Sequence, residues 1–267
     1  MPPTKFQSCV ELTPDIKRIE YISAEYFLSH KYNLVTKGIP FVVRNFFDIV
    51  DRDTLFRFLR TSFEGKNLTV RSHSTIQEYA HKRTYSQIDM IDYIEMLGMD
   101  RQEVIPYAAN NSLGFENFNS LHLTFPFPDL KNQLEDPKIW IGAAGTSTPL
   151  HMDSCDNFCY HLLGSKKWII FSIRDCEYLY LERNSYGTSA NPLSEFSTSR
   201  LNIDYPDHET FPLFKHAAAF ELTLEAGELL YLPYGWAHSV KNLTTSAMIN
   251  IWFRLDGYIP LLLRKTK

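Results

Sequence analysis

From Lys138 onward, six short runs dominate the chain: KIWIGAAG, NFCYHLLG, KWIIFSI, FELTLEAG, ELLYLP and SAMINIWF. Each is apolar and rich in β-branched and aromatic residues, and Gly, Pro, Asn or Asp punctuate them. Strands of this length at short intervals cover their apolar faces as a sandwich or a barrel. The first third reads differently. Ser23 is placed to cap a helix through AEYFLSHKYN, IPFVVRNF reads as a short strand, and Asp53 opens a helix through TLFRFLRTSF. Ser86 opens a third helix whose Ile88, Ile91, Ile94 and Leu97 form one apolar stripe.

The expected organisation is a single domain over 1–267. It has a helical N-terminal region to about 137 and a β core over about 138–253. Residues from about 182 to 220 are richer in Ser, Thr, Asn, Pro and Asp, and read as an insertion lying over one mouth of the barrel. Composition narrows the function. A chain with 44% apolar residues and 14% aromatics can build a core, so disorder is excluded. A net charge of −4 argues against a general phosphate-backbone binder without excluding a local basic groove. No apolar run is long enough to span a membrane, and the opening MPPTKFQSCVELTPD lacks the order of a signal peptide. The four cysteines, Cys9, Cys155, Cys159 and Cys176, form no CxxC pair. They are expected as free thiols in an intracellular compartment, cytoplasmic or nuclear. A zinc site at Cys155 and Cys159 is disfavoured, because two ligands are too few.

Chemistry is concentrated at His151-Met152-Asp153. On a strand, residues i and i+2 share a face, so the imidazole and the carboxylate project side by side. His238, about 85 residues later, can supply a third ligand. Two His and one carboxylate on one face of a metal leave the other face open, the donor pattern of non-haem Fe(II) oxygenases. The tripeptide is weak evidence alone, and its frame gives it weight. Five residues separate Gly145 from His151, three separate Asp153 from Asn157, and six separate Asn157 from Gly164. A second frame runs Gly227, Pro233, Gly235, His238 and Asn242.

These frames resemble the two motifs of the cupin superfamily, with Asp153 and Asn157 where many cupins carry a second His and a Glu. WIGAAGTSTPLHMD, DNFCYHLLGSKKWIIF and LEAGELLYLPYGWAHSV are similar to the JmjC hydroxylase branch, and the likeness runs from about Ile39 to Phe253. RDCEYLYLERN and LNIDYPDHETFPLF resemble the branches that hydroxylate wybutosine in tRNA or associate with heat-shock protein 27. The motif surroundings are also similar to the asparaginyl hydroxylase branch. The resemblance implies a mainly β (α+β) fold, a double-stranded β-helix (jelly-roll) barrel with N-terminal helices. It implies an Fe(II)- and 2-oxoglutarate-dependent dioxygenase that uses O2, with His151, Asp153 and His238 as metal ligands and catalytic centre. Lys166 would hold the distal carboxylate of 2-oxoglutarate, and Lys167 would point the other way. Thr148, Asn157, Tyr107 and Asn250 would supply supporting hydroxyl and amide groups.

Of the tryptophans, Trp236 shares strand parity with His238 and is expected to line the mouth; Trp140, Trp168 and Trp252 are expected in the core. His161 reads as a core histidine. The leading substrate is a protein side chain. A modified tRNA base, a methylated lysine and a non-catalytic binding role are the alternatives. The triad does not separate hydroxylase from demethylase, but no histone-reading module accompanies the core. Only RLDGYIPLLLRKTK follows the barrel, which leaves no room for the paired helices by which some relatives dimerise, so a monomer is expected.

Overall fold

A computed structural model of the protein describes residues 16–71, 84–98, 105–184 and 196–254. Fifteen strands lie within these residues. They are β1 (Glu20–Ser23), β2 (Phe41–Arg44), β3 (Asn67–Arg71), β4 (Tyr85–Asp89), β5 (Tyr107–Ser112), β6 (Lys138–Gly142), β7 (Ser147–Asp153), β8 (Asp156–Leu163), β9 (Ser165–Phe171), β10 (Leu181–Asn184), β11 (Phe196–Ser199), β12 (Ala219–Glu225), β13 (Leu229–Leu232), β14 (Ala237–Asn242) and β15 (Ser246–Phe253). A nine-stranded sheet has the order β1-β2-β13-β8-β15-β6-β5-β3-β4, and a six-stranded sheet the order β10-β11-β7-β14-β9-β12. The fold is mostly β, as the strand pattern requires.

Alternation along β8 shows how the layers form. Phe158, Tyr160 and Leu162 point outward, into an apolar layer shared with Phe27, Leu55, Tyr93 and Phe118 from the helices. Cys159 points the other way, into the space between the sheets, with Trp168, Leu224 and Met248. A third apolar cluster, including Leu150, Met152 and Phe171, lies on the outer face of the smaller sheet.

The helices are α1 (Ala24–Thr36), α2 (Arg52–Ser62), α3 (Met90–Gly98) and α4 (Phe115–Ser120). Ser23 caps α1, its hydroxyl accepting from the Tyr26 amide at 3.2 Å. Asp51, not Asp53, caps α2, accepting from the Thr54 amide at 2.9 Å; Asp53 sits in the first turn, where a negative charge suits the helix dipole. Ser86 opens no helix: it lies in β4, paired with β3, and α3 begins at Met90. The stripe misled because Ile88 belongs to the strand and Ile91 is 44% exposed, whereas Met90, Tyr93, Ile94 and Leu97 are buried. The region before Lys138 is therefore less helical than expected, since β1 to β5 all join the large sheet.

Residues 185–195 of the polar stretch lie outside the described residues. β11 pairs with β7, setting Thr198 opposite His151 and Phe196 opposite Asp153. Leu201, Ile203, Phe211 and Phe214 then pack with Leu150 and Met152 on the outer face of the smaller sheet. Trp236 is core: it is buried, packs against Phe220, and donates its indole N–H to the Gly38 carbonyl at 3.0 Å. Cys155, Cys159 and Cys176 are free thiols. Cys9 and most of the final segment, including Ile259–Leu263, lie outside the described residues.

Candidate metal centre and anion pocket

β7 and β14 run antiparallel with His151 directly opposite His238. Toward the N-terminus of β7 the register shifts, and the next partners are Thr148 and Val240. Three steps on β7 therefore oppose two on β14, so β7 carries one extra residue. A bulge of this kind re-aims side chains. It brings Thr148, His151 and Asp153 to the interior face, although 148 and 151 differ in parity. Leu150 and Met152 face outward into their apolar cluster.

The ligand atoms of His151, Asp153 and His238 lie within 4.8 Å of one another, and this is the group of its kind found among the described residues. The imidazole centroids are 4.1 Å apart, and His151 Nε2 is 3.7 Å from Asp153 Oδ1. Each ring is turned by its own strand. His151 Nδ1 lies 2.8 Å from the Pro149 carbonyl, and His238 Nδ1 lies 3.1 Å from the Trp236 carbonyl. A carbonyl only accepts, so Nδ1 carries the proton and Nε2 presents a lone pair. Burial, with the His151 ring beside it, pushes the His238 pKa down and keeps that ring neutral. Trp168 stacks over His238 at 5.5 Å. Asp153 Oδ2 accepts from the Trp252 indole at 2.9 Å and from Asn157 Nδ2 at 3.4 Å. Two imidazoles turned by main-chain carbonyls and one oriented carboxylate form a donor set able to hold a divalent transition metal.

Lys166, on β9, is fully buried. Its Nζ donates to Asn242 Oδ1 at 2.6 Å and to Tyr107 Oη at 3.3 Å. Lys167 faces the other way and pairs with Glu221 at 2.9 Å. Burial lowers the Lys166 pKa, with the Tyr107 hydroxyl opposing the shift, and no carboxylate contributes. Isolated charges of this kind are costly, by several kcal/mol. Arg71, on β3, is paired across the strands with Tyr107, the residue whose hydroxyl accepts from Lys166. The Arg71 guanidinium stacks on Tyr107 (4.9 Å) and Trp140 (5.3 Å), and donates to Thr148 Oγ1 at 3.1 Å. Burial also lowers its pKa, again with no carboxylate among the groups that act on it. Gly142 forms the floor: a Cβ there would stand 2.5 Å from Asn242 Nδ2, 2.5 Å from Thr146 Oγ1 and 2.7 Å from Tyr107 Cδ2.

The eight residues singled out in the sequence all lie on strands of the two sheets: the triad is grouped, Asn157 meets Asp153, Tyr107 meets Lys166, and Thr148 meets Arg71. Asn250 is the outlying member, donating to Cys159 Sγ at 3.4 Å while its Oδ1 has no partner. The Asn157 Oδ1 is likewise unpartnered. His161 is a core histidine as expected: its Nε2 meets the Gly164 carbonyl at 2.8 Å, and burial with the Lys166 charge brings its pKa to about 3. Sequence reasoning missed Arg71, Asn242, Trp140 and Trp252. Asn242 closes the second frame, so its position was marked although no role was. In NLTVR, Leu68 and Val70 face the apolar layer, and nothing in the run itself marks Arg71 as interior.

A family model described as a cupin-like domain matches residues 30–256. The chain is 33% identical over 188 residues to JmjC domain-containing protein D of Dictyostelium discoideum, covering 69% of this chain and 40% of that protein. It is 34% identical over 205 residues to human HSPB1-associated protein 1, covering 76% and 37%. It is 28% identical over 262 residues to human tRNA wybutosine-synthesizing protein 5, covering 90% and 78%. The matches to the first two span less than half of those relatives' length.

Proposed function

The chain belongs to the cupin-like JmjC family, and from that premise we propose that it is an Fe(II)- and 2-oxoglutarate-dependent oxygenase that hydroxylates a C–H bond of a protein side chain. The observation that carries this is the pairing of the two interior features. A His151–Asp153–His238 donor set stands beside strand β9, which carries a buried ammonium at Lys166 with no carboxylate partner among the described residues. Such a pair suits a ligand that is both a chelator and an anion.

In this reading His151 Nε2, His238 Nε2 and one Asp153 oxygen hold the metal. Trp252 and Asn157 keep the other Asp153 oxygen turned away by hydrogen bonds. Lys166 takes the distal carboxylate of 2-oxoglutarate, and the Tyr107 and Thr148 hydroxyls add hydrogen bonds to it. Asn157 and Asn250 offer their unpartnered amide oxygens to the same space. Bound there, the ferrous ion with 2-oxoglutarate and O2 would supply the oxidising chemistry that no side chain can. The chain's own part is to fix the donors, exclude water behind Trp168 and Trp140, and present one C–H bond. Free thiols suit the intracellular location that belongs to this reading. Among the described residues no helix is long and apolar enough to cross a membrane.

One fact keeps a modified tRNA base as the second reading: the relative aligned over most of both chains is named for wybutosine synthesis. The test is succinate formation with Fe(II), 2-oxoglutarate and ascorbate, supplied separately with a protein extract and with tRNA. Stimulation by protein, abolished in His151→Ala and Asp153→Ala, is expected. A wild-type protein that binds no Fe(II) and forms no more succinate than these variants is a non-catalytic binding protein, and the proposal fails.

A further inference from the structure

The oxygenase reading employs one of the two buried cations. A metal dication, the Asp153 carboxylate, the Lys166 ammonium and a dicarboxylate sum to zero charge. Arg71 is left over, and a guanidinium stays protonated in a protein. It is 6% exposed, and no carboxylate among the described residues meets it. Lys166 lies at the closed end of the space with none of its surface exposed, whereas Arg71 lies against Trp140, which is half-buried. Two donors in this cluster, Arg71 Nε and Trp140 Nε1, have no acceptor. Adjacent unpartnered donors beside a surplus cation call for an acceptor-rich anion.

We propose that Arg71 is a specificity-determining residue that takes a carboxylate of the prime substrate, so that the protein segment entering this site carries Asp or Glu. The proposal rests on the oxygenase reading and names the substrate class of the same site. A guanidinium fork matches a carboxylate in a plane, and its stacking on Tyr107 and Trp140 fixes that plane. One recessed cation suits a single short acidic side chain. A nucleic-acid backbone would need a strip of exposed cations.

The test uses the full chain loaded with Mn(II), and its readouts are binding alone. In the first arm N-oxalylglycine, an isostere of 2-oxoglutarate, is titrated calorimetrically. Lys166→Gln is expected to weaken it by about tenfold or more, as for a lost hydrogen bond to a charge, while Arg71→Gln stays within about threefold of wild type. In the second arm the N-oxalylglycine complex is offered to arrays of peptides that differ only in Asp/Glu, Asn/Gln or Lys/Arg, and to a tRNA fragment. Wild type and Arg71→Lys should prefer the acidic peptides by about tenfold, and Arg71→Glu should reverse the preference. If Arg71→Gln loses the analogue as Lys166→Gln does, Arg71 anchors the co-substrate and the proposal is overturned. It is equally overturned if Arg71→Glu keeps the wild-type preference, or if the tRNA fragment is retained over every peptide. A wild-type protein that ignores N-oxalylglycine sinks the oxygenase reading itself, a different result from any of these.

Discussion

At the His151–Asp153–His238 end of the interior, protein hydrogen bonds orient both imidazoles and the carboxylate. At the Lys166–Arg71 end, two cations have hydrogen bonds but no counter-charge among the described residues. The first end holds its donors in place with the protein's own hydrogen bonds. The second is under electrostatic tension until an anion arrives. The difference teaches where selection has favoured function over stability: a preorganised donor set costs little, whereas an unpaired buried charge costs several kcal/mol.

Substitutions can break this contrast. The largest effect is expected at Lys166. Lys166→Met removes the uncompensated ammonium and keeps the aliphatic stem, so the ligand-free protein should be stabilised, by about 1–4 kcal/mol. Binding of N-oxalylglycine should be lost in the same variant. Calorimetric unfolding with and without the analogue checks both signs; destabilisation of the ligand-free protein would show that the ammonium is not under tension.

Asp156 sharpens the contrast from outside both ends. It is fully buried on β8, accepts from the Tyr231 hydroxyl at 2.9 Å, and burial raises its pKa from 3.8 to about 6. The folded state therefore keeps a proton that the unfolded chain has already released between about pH 4 and 6. Stability is highest below that window, falls as pH rises through it, and is lower by about 3 kcal/mol above it. Asp156→Asn should flatten this dependence in denaturant titrations across the window. An unchanged slope would mean that another group carries it.

At the metal end, Trp252→Phe removes one donor to Asp153 and leaves the ring. Metal affinity should fall by about 10–100-fold, measured by competition with a chelator, while N-oxalylglycine-independent stability barely changes. The smallest effect is expected at Gly142→Ala. Its Cβ would press on Asn242 and Tyr107, costing about 1–3 kcal/mol of stability. It should disturb analogue binding and spare metal binding, since it touches only the cation end.

How much of this was readable beforehand follows from the range of the interactions. The triad was legible because His151 and Asp153 share a strand face and the glycine frames fixed the strand ends. Parity said that Lys166 and Lys167 point opposite ways, and the resemblance, with a Lys two residues after Gly164, said which of them faces inward. Thr148 was expected beside the metal site, but the reason, a bulge in β7, depends on how β14 pairs with it and leaves no local mark. β4 was read as helix because a spacing of three, from Ile88 through Ile91 and Ile94 to Leu97, straddled a strand–helix junction at Asp89. Arg71 and Trp252 were missed for one physical cause. Arg71 was not singled out and Trp252 was expected only as core, because which side chains they meet, Thr148 and Asp153, is decided by strands distant in sequence.

The two histidines owe their orientation to main-chain oxygens two residues earlier on their own strands. No substitution deletes a backbone carbonyl. The imidazole geometry is thereby insulated from drift in the rest of the sequence, while Asp153 leans on the replaceable side chains of Trp252 and Asn157. In a diverging lineage, then, the carboxylate arm is where the metal's character can be retuned one mutation at a time. The imidazole pair would pass between descendants unaltered.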